Sequence, residues 1–181
     1  MKGIVILANG FEDTEAIATI DVLKRSKLQI TTVSFDSLAV TSAYNIQVQA
    51  DMLFKNLQLE EYDFLVIPGG RAVFNVLNKK EEVSELIKIF MEQEKLVAAI
   101  CAAPMLIGKL GYLKNRNYTC FPTCEEGIEG NFQQKKNVVR DGNIITAKAM
   151  AFSLDFALEI IEYLQGKKQR DVVYRNIRGE S

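Results

Sequence analysis

Histidine is missing from all 181 residues of the chain. No Ser-His-Asp triad, Cys-His dyad, HExxH metalloprotease site or histidine-ligated zinc can therefore be built within one copy. Any nucleophile must be activated by some other group. Cysteine is scarce and odd in number, three in all, which fits reduced thiols in the cytoplasm better than a disulfide scaffold. No apolar stretch reaches the roughly 18 residues of a membrane span, and no basic segment followed by an apolar run opens the chain, so neither a span nor a signal peptide is expected. An excess of charge is lacking too: 22 Lys+Arg stand against 23 Asp+Glu, a net charge of −1. Nothing electrostatic points to a nucleic-acid or membrane partner, and a small or neutral ligand is the default. With no linker, repeat or low-complexity tract, residues 1–181 read as one domain.

What is present is an alternation of apolar runs and helical patterns. Lys2 to Ala8 is a short Ile/Val-rich run stopped by Asn9-Gly10, and reads as a buried strand. A helix should follow, capped by Asp13 or Thr14, with Ala16, Ile17, Ile20 and Leu23 at helical spacing and Lys24, Arg25 and Lys27 at its negative end. Gln29 to Phe35 is strand-like, and Ala39 to Ala50 folds about Tyr44-Asn45 as a hairpin. Asp63 to Ile67 is an uninterrupted apolar strand ended by Pro68-Gly69-Gly70, of the kind covered on both faces. Lys80 to Glu94 places Val83, Leu86, Ile87, Phe90 and Met91 on one face of an amphipathic helix.

Leu96 to Ile100 is the next buried strand, and Cys101-Ala-Ala-Pro104 turns from it into a short helix. Tyr118 to Phe121 reads as a strand. Val138-Val139 and Ile144 to Ala147 flank the hairpin signal Asp141-Gly142, and a helix from Phe152 to Leu164 closes the fold. This order predicts a doubly wound α/β fold, a mostly parallel sheet with helices on both faces in a three-layer sandwich. In such sheets ligands gather outside the carboxyl ends of the strands, where Gly10, Gly70 and Cys101 all fall.

Three of these positions carry chemistry. A cysteine at a strand-to-helix turn has its sulfur near the first unpaired backbone N–H groups of the helix, which favours thiolate at Cys101. From position alone, Ala98 to Pro104 reads equally well as plain core. Glu15 sits one turn into the first helix; such a carboxylate is ordinarily solvated. The alternative is that it points inward, stays protonated through desolvation and donates a hydrogen bond to the thiolate in place of the missing histidine. The Gly70 N–H, together with that of Ala102, could hold a developing oxyanion, although glycine pairs after strands are usually plain turns. Cys120 and Cys124 form a C-x3-C in a proline-containing loop; a closed zinc site there would need a carboxylate, and one of the pair could instead resolve an oxidised Cys101 as a disulfide.

Three ordered segments, Gly10-Phe-Glu-Asp-Thr-Glu15, Tyr62-Asp-Phe-Leu-Val-Ile-Pro-Gly-Gly70 and Val97-Ala-Ala-Ile-Cys-Ala-Ala-Pro104, resemble the ThiJ/PfpI superfamily. The nearest branch is that of the parkinsonism-associated deglycase and its bacterial relatives, and the likeness runs from Met1 to about Lys167. It implies a flavodoxin-like fold, a homodimer, Cys101 as redox-sensitive nucleophile, Glu15 as a protonated glutamate, and Gly70 with Ala102 as oxyanion donors. It also implies cofactor-free action on α-oxoaldehydes such as methylglyoxal or on early glycation adducts, or a chaperone or oxidation-sensing role. The chain departs from that pattern where many members carry a histidine before the loop proline, here Phe121-Pro122. Ala102 replaces the histidine that protease-like branches place directly after the cysteine, so a protease is disfavoured. Tyr44 stands where an arginine is expected, although Arg25 remains, and Lys148-Ala-Met-Ala151 replaces Gly-Pro-Gly. Phe121 and Met150 would then line a more apolar pocket.

Overall fold

A computed structural model describes residues 1–180. In chain order the elements are β1 (Lys2–Ile6), α1 (Asp13–Arg25), β2 (Gln29–Ser34), β3 (Ala39–Thr41), β4 (Gln47–Gln49), β5 (Met52–Leu53), β6 (Phe64–Ile67), α2 (Arg71–Asn75), α3 (Glu81–Glu92) and β7 (Leu96–Ile100). They continue with α4 (Pro104–Lys109), β8 (Asn117–Tyr118), β9 (Asn131–Phe132), β10 (Val138–Asp141), β11 (Ile144–Ala147), α5 (Ser153–Gln165) and α6 (Lys167–Ile177). Seven strands form one sheet in the order β10-β11-β7-β6-β1-β2-β5. All neighbours pair in parallel except the β10–β11 hairpin, which turns at Asp141-Gly142 as its sequence predicts.

The central strands owe their place to composition. Every residue of β6, β7 and β11 is buried, and an uninterrupted apolar run is stable only where both faces of the sheet are covered. From β1 the chain moves one way to β2 and the other way to β6 and β7. Right-handed crossovers therefore put α1 and α3 on opposite faces. α1 packs against α5, and α6 against α5, while α3 lies on β6 and β7. The face of α3 is the expected one: Val83, Leu86, Ile87, Phe90 and Met91 are all buried, each contributing about 1.5–3 kcal/mol by leaving water.

Four expectations are corrected. The cap of α1 is Glu12, not Asp13 or Thr14, because the Glu12 carboxylate accepts the Glu15 N–H. Ile17 is 47% exposed; the inner face of α1 is instead Glu15, Ala16, Thr19, Val22 and Leu23, so a carboxyl occupies a place that apolar periodicity assigns to a neighbour. The chain does not close at Leu164. α6 follows after Gly166, and its sequence carries no apolar stripe because Val173 is its one buried residue. The strand expected over Tyr118 to Phe121 shrinks to Asn117–Tyr118, paired in parallel with β9. The hairpin about Tyr44-Asn45 is present as β3 and β4, and no helix among the described residues is long and apolar enough to cross a membrane.

Gly3 of β1 and Phe64 of β6 are register partners, and a methyl group at Gly3 would fall 2.1 Å from the Phe64 ring. Gly3→Ala should therefore destabilise the protein by about 1–3 kcal/mol through overpacking, and Phe64→Leu in the same chain should recover part of that loss. Urea unfolding of the two variants measures both effects; a neutral Gly3→Ala would show that the β1–β6 contact is slack.

Candidate active site

The loops after β1, β6 and β7 meet at the carboxyl edge of the sheet. Phe11 bridges to Gly70, the Ala72 N–H donates to the Gly10 carbonyl at 3.0 Å, and the Glu12 N–H donates to the Gly69 carbonyl at 3.1 Å. Gly70 has φ +92°, a backbone that side chains rarely adopt. It also lacks room for one, since a Cβ would lie 2.5 Å from the Glu12 nitrogen.

Cys101 is the first residue beyond β7 and is half-buried, with φ +63°. A left-handed cysteine is strained by an amount on the order of 1–3 kcal/mol, so surrounding bonds must hold it. They do so from two sides. Its N–H donates to the Ala147 carbonyl at the end of β11 at 2.9 Å, and its carbonyl accepts the Phe121 N–H at 2.8 Å. The side chain is thereby turned to the Gly69–Gly70 loop, where the backbone N–H groups of Gly70 and Ala102 both act on the sulfur.

Glu15 reaches the same point from α1. It is only 1% exposed. Its Oε2 accepts the Gly69 N–H at 2.8 Å, while Oε1 is buried without a hydrogen-bond partner. Gly69 is wedged between the carboxyl and Cys101: a methyl group there would lie 2.6 Å from Glu15 Oε2 and 2.7 Å from Cys101 Cβ. Burial raises the Glu15 pKa from 4.5 to about 7, opposed by the Cys101 thiol, reinforced by Glu12 and opposed again by the Gly69 N–H.

The thiol behaves differently from the sequence expectation. A helix N-terminus was expected to favour thiolate, yet burial, followed by the charge of Glu15 and its contact with the sulfur, pushes the Cys101 thiol well above its ordinary value. The physical reason is that α4 is a short helix of six residues and contributes little dipole, while a carboxylate beside a thiol opposes a second negative charge. The titrations of the two groups are coupled. With the proton on Glu15 that opposition vanishes, and the Gly70 and Ala102 N–H groups favour the thiolate. The contact between carboxyl and thiol lowers the proton affinity of Glu15 and raises that of Cys101.

The remaining candidates fall around this pair. Phe121 is tied to Cys101 through its backbone, and its ring is 47% exposed at the rim. Met150 is exposed on the turn after β11 and takes no part in the hydrogen bonds around Cys101. The Cys120 thiol is fully buried and faces Glu125, with Sγ 3.9 Å from Oε2; Cys124 is also a free, buried thiol. Tyr44 stands exposed at the hairpin tip, where the Arg71 guanidinium donates to the Ala43 carbonyl at 3.1 Å. Sequence reasoning missed Glu12 and Gly69 as parts of the site. The signal for Glu12 was its place three residues before Glu15, the interval of an N-cap.

A parallel sheet whose carboxyl edge holds a cysteine on a strained strand-to-helix turn with a buried carboxyl beside it belongs to an α/β protein of the flavodoxin-like kind. The DJ-1/PfpI family profile matches residues 1–163, and the chain belongs to that family. It is 31% identical over 179 residues to Protein dj-1beta of Drosophila melanogaster, covering 97% of this chain and 96% of that one. Deglycase PH1704 of Pyrococcus horikoshii is 32% identical over 167 residues, 91% of this chain and 100% of that one. Against two longer relatives from Arabidopsis thaliana, Protein DJ-1 homologs B and A, the chain spans 38% and 44% of their lengths. The crystal structure of Drosophila melanogaster DJ-1beta superposes with a TM-score of 0.92 at 30% identity, over 97% of this chain and 96% of that one. The C103A mutant of the DJ-1 superfamily protein STM1931 from Salmonella typhimurium gives 0.90 at 30% identity, over 99% and 98%.

The raised Glu15 pKa makes stability depend on pH with a definite sign. Between 4.5 and about 7 the folded chain holds a proton that the unfolded chain has lost. Stability from this group is therefore greatest below pH 4.5, falls as pH rises through 7, and then levels off, a loss of about 3 kcal/mol in all. Glu15→Gln cannot ionise, so its stability relative to wild type should improve by about that amount between pH 4.5 and pH 8. Urea unfolding at the two pH values checks this; a difference that stays constant would mean that Glu15 is not held neutral.

Proposed function

We propose that the protein is a cofactor-free, cysteine-dependent enzyme acting on small α-oxoaldehydes or early glycation adducts, with Cys101 as nucleophile and Glu15 as proton carrier. The observation that carries this reading is the Glu15 carboxyl, buried, with a pKa near 7 and pressed through Gly69 against a cysteine on a strained backbone. A group poised there can accept and return protons at neutral pH, which is the role histidine has elsewhere. Deglycase is also the name of relatives about 30% identical to this chain.

The steps follow from the geometry. The thiol proton passes to Glu15, and the sulfur adds to the aldehyde carbon to give a hemithioacetal whose oxyanion the Gly70 and Ala102 N–H groups can hold. Glu15 protonates that oxygen. As carboxylate it then takes the proton from the former aldehyde carbon, giving an enediol as the neighbouring oxygen gains a proton, and returns a proton to the neighbouring carbon while the hemithioacetal hydroxyl loses its own, leaving a 2-hydroxy thioester. Water cleaves the thioester, freeing Cys101 and the hydroxy acid. For methylglyoxal the sum is one water added and lactate released.

A homodimer in the cytoplasm completes the proposal. Ile17, Tyr44 and Ile46 are 47%, 70% and 55% exposed, and Ile17 and Ile46 share an apolar groove with Asp13, Thr14, Ala18 and Asp21 that a second copy would cover. A second reading, oxidation sensing without turnover, is favoured by the unpartnered Glu15 Oε1. As a neutral acid this carboxyl could donate to an oxygen placed on Cys101 by a hydroperoxide. Incubation with methylglyoxal, followed by proton NMR of lactate, separates the two. Wild type should produce lactate, Cys101→Ala none, and Glu15→Gln about 10²–10⁴-fold less. Wild type indistinguishable from Cys101→Ala would sink the enzymatic reading and leave the sensor.

A further inference from the structure

Glu15 is held in place by a closed circuit of three hydrogen bonds. The Glu12 N–H donates to the Gly69 carbonyl at 3.1 Å, the Gly69 N–H donates to Glu15 Oε2 at 2.8 Å, and the Glu15 N–H donates to Glu12 Oε2 at 2.7 Å. Each residue is donor to one member and acceptor from the other. Glu12 thus fastens the start of α1 to the β6 loop with its backbone and caps the helix with its side chain. Its carboxylate has no salt-bridge partner among the described residues, so its charge is uncompensated next to the buried carboxyl.

We propose that Glu12 is a positioning residue of this site: the circuit through Gly69 fixes the Glu15 carboxyl, and the Glu12 charge opposes a second negative charge on that carboxyl. The inference rests on Glu15 as the proton carrier of the reading above. Its physical basis is simple repulsion. Glu12 and Glu15 lie within one turn of α1 and are joined by a hydrogen bond at 2.7 Å, so a negative charge on Glu15 is opposed by the Glu12 carboxylate. The ionisable groups that act on the Glu15 carboxyl are Cys101 from the β7–α4 turn and Glu12 from its own helix, with the Gly69 N–H as the facing dipole from the β6 loop. Glu12 is the one whose charge raises its proton affinity.

Glu12→Gln separates charge from geometry, since the amide oxygen can still accept the Glu15 N–H and preserve the circuit. The decisive measurement is the Glu15 titration itself, followed by the ¹³Cδ resonance in Cys101→Ala and in Cys101→Ala/Glu12→Gln. The midpoint should fall by about half a pKa unit or more on removing the Glu12 charge, with thermal unfolding little changed. In the Cys101-containing chain, the same substitution should slow iodoacetamide alkylation near pH 7 roughly threefold as the proton moves back toward sulfur. A Glu15 midpoint that stays in place or rises in Glu12→Gln overturns the proposal. That result is independent of turnover: methylglyoxal left unchanged by wild type would end the enzymatic reading without touching the titration.

Discussion

A carboxyl group without a counter-ion, 1% exposed, would cost several kcal/mol if it were buried charged. Glu15 avoids most of that cost by keeping its proton to near neutral pH, and the rest of the site is arranged around that proton. Gly69 must be glycine because its α-carbon is pressed between the carboxyl oxygen and the Cys101 β-carbon. Cys101 must accept a strained backbone because only that turn brings its sulfur to the same spot. A neutral acid beside a thiol can become a hydrogen-bond donor to a thiolate or a proton source for an adduct. An exposed glutamate could do neither at pH 7.

The sheet supplies the convergence. β1, β6 and β7 are consecutive neighbours, so the loops that follow them share one edge, and the reversal of strand order at β1 opens the space between the β1 and β6 connections. Glu15 enters from the first loop, Gly69 and Gly70 from the second, and Cys101 from the third. β11 adds the fourth fixed point through the Ala147 carbonyl, which anchors the Cys101 backbone. The rim is a separate matter. Phe121 is joined to the nucleophile by one backbone bond and leaves an exposed aromatic ring beside it, in a chain with no imidazole to offer at that place.

Most of the fold could be read from the sequence because most of it is driven by patterns that survive in one dimension. Continuous apolar runs at β6, β7 and β11 imply burial on both faces, and the five apolar residues of α3 recur at helical spacing. Asp141-Gly142 marks its hairpin through turn chemistry. α6 is hard to read from the sequence because it is mostly polar: Val173 is its one buried residue, and the helix is held by contact with α5. The place of Ile17 was misread for a related reason: periodicity alone assigns apolar residues inward, and on α1 the inward position belongs to Glu15.

What the sequence determined by itself was the set of chemical options. Without histidine, and with cysteine at a strand-to-helix turn, only a carboxyl or backbone groups could activate a nucleophile, and Cys101, Glu15, Gly70 and Ala102 could all be named. Whether the Cys101 side chain is sealed in the core or stands half-buried beside a carboxyl, and whether Glu15 is solvated or buried, is decided by tertiary structure. A pKa is set by desolvation and by the charges and dipoles within a few ångströms, and those neighbours come from residues 12, 69 and 101, far apart along the chain. Only folding places them around one proton.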